Sequence, residues 1–111
     1  MITISLFRNE SHKITGFTVS GHAGFGDAGT DIVCAAVTTA VMTTVNGLTD
    51  VAKIELAPTV REGYVACALP KQLTEKERHD ADLLLDSLVL TLENLTEQYA
   101  AFVTLKEESA V

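Results

Sequence analysis

The sequence predicts a two-layer α+β domain in which two helices cover one face of an antiparallel sheet. Short segments with alternating apolar residues occur in pairs, and each pair is joined by a turn and followed by a longer segment of helical periodicity. The predicted order is therefore strand, strand, helix, strand, strand, helix. Hairpins of this kind form antiparallel sheets. We expect residues 1–111 to form a single domain.

The first hairpin is predicted from apolar alternation in Ile2–Arg8 and Ile14–Gly21, on either side of the polar turn 9–13. Residues Ala23–Thr30 contain three glycines and predict a loop.

Asp31 is predicted to be the N-cap of the first helix, because its carboxylate can accept hydrogen bonds from amides two or three residues later. The helix is expected to run to about Thr49. The residues predicted on its buried face are Ala36, Ala40, Val41, Val45 and Leu48, broadened by Ile32, Val33, Val37 and Met42.

A second hairpin is predicted between Lys53–Ala57 and Tyr64–Leu69, across the turn 58–63. Thr74 and Glu77 then fit a capping box that begins a helix reaching about Tyr99. After this helix, Phe102–Leu105 is expected to be a short strand at an edge of the sheet, followed by a frayed tail at 107–111.

The second helix carries more apolar surface than one small core needs. Its predicted stripe consists of Ala81, Leu84, Leu88, Leu92, Leu95 and Tyr99, while Leu83, Leu85, Val89 and Leu90 lie outside the centre of the stripe. Two interpretations stay open. The helix has a wide core-facing surface, or the helix 74–99 forms a homodimer interface.

Composition excludes several classes of function. The formal net charge is −7, and the eight basic residues are scattered, which argues against a nucleic-acid partner and favours a basic one. The apolar stretch 32–45 is interrupted by four threonines, and the first residues do not resemble a signal peptide, so no membrane partner is expected. With two cysteines, we expect a cytoplasmic protein with reduced thiols. We expect no metal site and no cofactor.

A histidine and a cysteine flank the glycine-containing loop. In the first turn of a helix, Cys34 would face free amides and the positive end of the helix dipole, which favour a thiolate and can stabilise an oxyanion. His22, at the end of the second strand, could accept the thiol proton. The alternative is structural: a small cysteine buried in the core and a histidine that is an ordinary polar residue.

The segment Gly21-His22-Ala23, then Gly29, then Asp31-Ile32-Val33-Cys34-Ala35-Ala36 resembles the ribosomal-processing cysteine protease family Prp. The similarity in length and element order extends over nearly the whole chain, but its specific part is this segment. The resemblance implies a bacterial endopeptidase with a Cys–His dyad. In that dyad Cys34 is the nucleophile and His22 is the general base and acid.

The resemblance also implies a substrate and an assembly. The substrate is the short N-terminal extension of large-subunit ribosomal protein twenty-seven, which is removed by a cut after a pair of aromatic residues. Members of the family are dimers, in agreement with the apolar surplus on the second helix. Many relatives have serine at position 38, where this chain has Thr38 and retains a hydroxyl group.

The supporting residues have two interpretations each. Asp31 is a helix cap worth about 1 kcal/mol, or it orients His22 or the turn that carries the cysteine. Gly24, Gly26 and Gly29 belong to a passive turn, or to a gating loop that becomes ordered when a peptide binds. Gly21, beside His22, is the remaining supporting residue. Two other functions stay open: a non-catalytic ribosome-assembly module and a thiol-based redox sensor.

Overall fold

A five-stranded sheet forms one layer of the protein and two helices form the other. The computed structural model describes residues 1–27 and 30–109. Within these residues the elements, in chain order, are β1 (Ile2–Arg8), β2 (Ile14–Ser20), α1 (Ile32–Asn46), β3 (Thr59–Arg61), β4 (Tyr64–Ala68), α2 (Glu75–Gln98) and β5 (Val103–Ser109). The predicted α+β class and the predicted order are confirmed.

The strands of the sheet have the order β3-β4-β2-β1-β5. Neighbouring strands are antiparallel except for β1 and β5, which are parallel, with Ile2 opposite Val103 and Arg8 opposite Ser109. The sheet is therefore mixed, not wholly antiparallel. The reason is that α2 carries the chain from β4 to the far edge of the sheet, where β5 enters in the direction of β1.

The last strand is longer than predicted. Residues 107–109, expected in a frayed tail, pair with the end of β1, and the Arg8 guanidinium forms an ion pair with Glu107 at 3.0 Å. These residues are polar because β5 is an edge strand, and charged side chains are common on exposed edges. Residues 110 and 111 of the expected tail lie outside the described residues.

The core lies between one face of the sheet and the two helices. The strands contribute Ile4, Leu6 and Phe17, all at most 1% exposed. The buried residues of α1 are Val33, Val37, Val41, Thr44 and Val45, so that its face is centred on an i, i+4 row of valines. The prediction was wrong for Ile32, which is 57% exposed, and Ala36 and Ala40 are only partly buried.

The buried face of α2 is rotated about the helix axis relative to the predicted stripe. Leu85 and Val89 are buried, at 1% and 7% exposure, although they were placed outside its centre. The predicted stripe residues Leu84, Leu95 and Tyr99 are only partly buried. The capping box of Thr74 and Glu77 is confirmed, with both reciprocal hydrogen bonds present.

The second hairpin differs from its prediction because 53–57 does not pair with another strand. The α1 helix continues as a π-helical segment, Gly47–Val51, and the Ile54 amide then donates to the Leu48 carbonyl. Ile54 is 2% exposed, and Leu56 packs partly against the core. The alternation in 53–57 therefore reflects one-sided burial of an irregular segment. Strand β3 instead begins at Thr59, and its three residues are exposed.

Residues Ile32–Val51 together form a helical stretch of 20 residues with a mean hydropathy of 1.5, which is long and apolar enough to cross a membrane by length and composition. This stretch extends six residues beyond the apolar run 32–45 that the sequence shows. A core helix meets the same criteria, and the valine row of α1 packs in the core of this domain. This stretch is therefore weak evidence for membrane insertion.

The corrected face of α2 predicts different costs for two leucines on the same helix. Leu85→Ala should lower the free energy of unfolding by about 2–5 kcal/mol, because it leaves a cavity in the core. Leu83→Ala, at a residue that is 60% exposed, should cost less than about 1 kcal/mol. Urea unfolding followed by circular dichroism measures both. Equal losses that do not depend on protein concentration would contradict this assignment of the core face.

Candidate active site

The carboxylate of Asp31 joins the start of α1 to the preceding loop. Its Oδ1 accepts hydrogen bonds from the amides of Val33 and Cys34, both at 3.0 Å. Its Oδ2 accepts from the amides of Phe25 and Gly26, at 2.9 and 3.1 Å. The predicted N-cap is therefore confirmed, and the same side chain also fixes the loop.

These hydrogen bonds favour the charged form of Asp31. The pKa of its carboxyl is lowered from the ordinary value, chiefly by the hydrogen bond from the Cys34 amide. The three other amides act in the same direction, while removal of the carboxylate from water opposes them. The site thus contains a negative charge that is 7% exposed and held by four backbone donors.

The Cys34 thiol lies at the edge of the core in the first turn of α1, as predicted, and is partly buried. The Ala23 amide donates a hydrogen bond to its Sγ at 3.2 Å. Ala23 is 4% exposed, so this donor is shielded from water. The contact fixes the position of the sulfur atom at the start of α1.

Three amides at the start of α1, which were predicted to be available to an oxyanion, already donate hydrogen bonds in this structure. The amides of Val33 and Cys34 donate to the Asp31 side chain, and the Ala35 amide donates to the Asp31 carbonyl. Sequence reasoning assigned these amides to two roles at once, capping and oxyanion binding. In this structure the amides of Val33 and Cys34 are used for capping.

His22 follows β2 and is exposed. A Cβ atom added to Gly63, in the turn between β3 and β4, would lie 3.0 Å from the His22 Nε2 atom, so the ring rests against this glycine. Gly63 has a φ of +70°, and its carbonyl accepts from the Gly21 amide at 2.9 Å. Among the described residues no hydrogen bond joins the His22 ring to Cys34.

Gly21 is required by the backbone beside His22. Its φ is +93°, and an added Cβ would collide with the carbonyl oxygen of Met1. A larger residue would therefore separate the end of β2 from the start of β1 and move His22 with it. This gives Gly21 a positioning role that follows from sterics.

The other predicted supporting residues are less constrained. Thr38 lies one turn beyond Cys34, on the exposed side of α1. Gly24 has a φ of +75° with open space beside it, and Gly26 has only ordinary van der Waals distances around an added Cβ. Gly29 lies outside the described residues.

An aromatic cluster beside the site was not predicted. Phe25, in the loop, packs edge-on against Tyr99 and Phe102, with ring centroids 6.0 and 5.2 Å away. The sequence assigned Tyr99 to the stripe of α2 and Phe102 to a strand. No local pattern links them to position 25, because the contact depends on β5 lying beside β1.

Two other features of the structure lie away from the site. A groove of about 930 Å³ opens at the opposite end of the sheet, between Lys13, Leu69 and Arg78, and its lining contains neither Cys34 nor His22. The second cysteine, Cys67, is in the core as predicted, and burial raises the pKa of its thiol to about 11. At neutral pH this thiol is protonated and shielded, which makes it a poor nucleophile.

Sequence comparison connects this geometry to known proteins. A family model described as cysteine protease Prp matches residues 1–104. A ribosomal processing cysteine protease Prp of Bacillus subtilis is 33% identical over 101 residues, which make up 89% of this chain and 90% of that protein.

Solved structures have the same fold. A Staphylococcus aureus structure, described as an essential ribosomal processing protease Prp with a covalently linked product peptide, has a TM-score of 0.86 at 24% identity and covers 97% of this chain and 100% of its own. A Streptococcus mutans protein has a TM-score of 0.77 at 32% identity and covers 99% and 96%.

The family match extends over nearly the whole chain, and the Bacillus subtilis relative is similar over most of both lengths. The chain therefore belongs to the Prp family of ribosomal processing cysteine proteases.

Proposed function

We propose that this protein removes the N-terminal extension of large-subunit ribosomal protein twenty-seven, cutting after a pair of aromatic residues. Cys34 is the nucleophile, and His22 is the general base and acid. The observation that carries the proposal is the Cys34 thiol at the start of α1, with the shielded Ala23 amide on its Sγ. We place this activity in the cytoplasm, where the thiol stays reduced.

The reaction proceeds through an acyl-enzyme. His22 takes the proton from the Cys34 thiol, and the thiolate attacks the peptide carbonyl to form a C–S bond. As the C–N bond breaks, the imidazolium returns its proton to the leaving amine. Water, deprotonated by His22, then attacks the thioester and releases the carboxylate product together with the free thiol.

The unbound site must rearrange before this chemistry can occur. The His22 ring lies against Gly63, and Asp31 holds the amides of Val33 and Cys34. We infer that substrate binding turns the imidazole towards Sγ and brings amide donors to the oxyanion. Catalytic hydrogen bonds that tighten only in the complex are common in enzymes.

Charge supports a ribosomal substrate. The chain has a formal net charge of −7, and ribosomal proteins are typically basic, so long-range attraction would steer the two together. The redox-sensor and assembly-module alternatives receive no support from membership in a cysteine protease family.

We further propose a homodimer through α2. Leu83 and Leu90 are 60% and 62% exposed, and a spacing of seven residues places them on one face of the helix. Exposed leucines in such a row are typical of an interface between protein chains. This face is distinct from the Leu85–Val89 side that packs in the core.

The first experiment tests the nucleophile and the base. Purified protein is incubated with the precursor ribosomal protein, and the shortened product is measured by mass spectrometry. Cys34→Ala should abolish cleavage but retain peptide binding, because it removes the nucleophile and leaves a smaller side chain in its place. His22→Ala should slow cleavage about 10²- to 10⁴-fold, the usual contribution of a general base.

Matched controls are available for both residues. Cys67→Ala removes the buried thiol, and His79→Ala removes an exposed histidine on α2. Both variants should cleave within about threefold of the wild-type rate, since such surface or distant changes rarely alter a site. Cleavage that survives in Cys34→Ala, or intact precursor with the wild-type protein, would refute the proposed function.

A second experiment separates the two roles of Asp31. Asp31→Asn keeps one carbonyl oxygen for Val33 and Cys34, but it turns an amide group towards the donors of Phe25 and Gly26. Because the pKa of Asp31 is lowered on folding, its charge stabilises the fold above the unfolded pKa of about 4. This contribution is lost as the pH falls through the folded value.

The wild type should therefore be more stable than Asp31→Asn at pH 7, and the difference should shrink as the pH falls below the unfolded pKa of about 4 and the carboxylate takes up its proton. Urea unfolding across this range measures it, and a difference independent of pH would contradict the role of the charge. The same variant should retain cleavage if Asp31 acts only as a cap. A loss of more than about tenfold in kcat under conditions where the variant is still fully folded would identify Asp31 as a positioning residue.

The proposed dimer is tested by sedimentation equilibrium. The wild type should have twice the chain mass, and the double variant Leu83→Lys, Leu90→Lys should have the mass of one chain, because lysine cannot be buried unpaired at an interface. Val51→Lys, at a residue that is 79% exposed on the other helical segment, is the control and should remain dimeric. A wild-type monomer at micromolar concentration would exclude this interface.

A further inference from the structure

The loop residue Phe25 occupies a place where a substrate side chain could lie. Its ring is 45% exposed and contacts Tyr99 and Phe102 edge-on, with interplanar angles of 78° in both pairs. Edge-to-face contacts of this kind are favourable beyond the area that they bury. Because the Phe25 ring is nearly half exposed, Tyr99 and Phe102 contact only one side of it.

The backbone that carries the two partner rings is held independently of the loop that carries Phe25. Their segment, between α2 and β5, is held by backbone hydrogen bonds: Tyr99 to Leu95 and Phe102 to Tyr99, both at 2.8 Å, and Ile2 to Phe102, also at 2.8 Å. Phe25 belongs to a loop that is tied to α1 through the Asp31 side chain. We call the pair Tyr99 and Phe102 the aromatic seat, and Phe25 is its occupant in this structure.

The aromatic seat lies close to the nucleophile. The Ala23 amide contacts Sγ of Cys34, and Phe25 is only two residues further along the chain. Successive Cα atoms are about 3.8 Å apart, so the Cα atoms of residues 23 and 25 are separated by at most about 7.6 Å. A peptide with its scissile bond at Cys34 could thus reach the seat with a side chain one or two residues from the cut.

We propose that the aromatic seat binds an aromatic side chain of the substrate, and that Phe25 fills this seat in the unbound protein. The phenyl ring of Phe25 fits edge-on against both Tyr99 and Phe102. The substrate side chain that replaces it is therefore expected to be aromatic too. The inference rests on the proposed protease function, which it extends by assigning the specificity-determining residues.

The competition has an energetic consequence. A substrate ring must displace Phe25 before it enters the seat. The apparent affinity for substrate is therefore the intrinsic affinity multiplied by the fraction of molecules in which the seat is empty. Displacement also removes the aromatic contacts of the loop, while its hydrogen bonds to Asp31 and to the Cys34 sulfur stay in place.

The test uses the Cys34→Ala protein, so that binding is measured without cleavage. The probes are a synthetic peptide with two adjacent phenylalanines before the cleavage position and a matched peptide with two leucines. Phe25→Ala should tighten binding of the phenylalanine peptide by roughly 5- to 10-fold, because the competing ring is gone. Phe102→Leu should weaken it by a similar factor, and Val51→Ala, far from the site, should leave it unchanged.

A fluorescence measurement follows Phe25 itself. The chain has no tryptophan, so Phe25→Trp in the same background introduces a single indole at the seat. The phenylalanine peptide should shift its emission to longer wavelength and raise its quenching by acrylamide, as the indole moves into water. The leucine peptide at equal occupancy should produce less than half of this change.

The outcomes separate the two proposals. If the wild type cleaves the precursor but Phe25→Ala weakens peptide binding as much as Phe102→Leu does, Phe25 is a wall of the pocket and the competition is refuted. If both peptides bind equally and neither moves the indole, the seat assignment is refuted while the protease function stands. If the precursor stays intact with the wild type, the protease function fails, whatever the binding data show.

Discussion

The arrangement of the site depends on the four hydrogen bonds that backbone amides donate to the Asp31 carboxylate. Two of them begin α1 and so place Cys34 in its first turn. The other two hold the loop at Phe25 and Gly26, which brings the Ala23 amide to the thiol and the Phe25 ring to its aromatic partners. One buried charge therefore determines both the direction of the helix and the path of the loop.

Local chemistry made part of this arrangement predictable. Asp31 and Thr74 were identified as caps because capping depends on residues only a few positions apart, and β1 and β2 were recognised because each alternates over a full strand. The residue pair Cys34 and His22 followed from its place at these element ends. The pairing of β5 with β1 could not be predicted, because the polar residues of an exposed edge resemble a tail.

Contacts between distant segments, which local sequence patterns do not reveal, also explain why the site differs from its prediction. The contact of His22 with Gly63, and that of Phe25 with Tyr99 and Phe102, join segments that are distant in sequence. The expected oxyanion donors failed for another reason, since a single acidic cap can satisfy several amides at once.

The parallel pairing of β1 with β5 also bears on how the protein folds. Ile2 lies opposite Val103, so the edge of the sheet closes a loop of almost the entire chain, and such non-local contacts slow folding. The Ile2 amide also holds the carbonyl of Phe102. The contacts of Phe25 with Tyr99 and Phe102 therefore depend on the longest-range pairing in the sheet, whereas the cap of α1 needs only neighbouring residues.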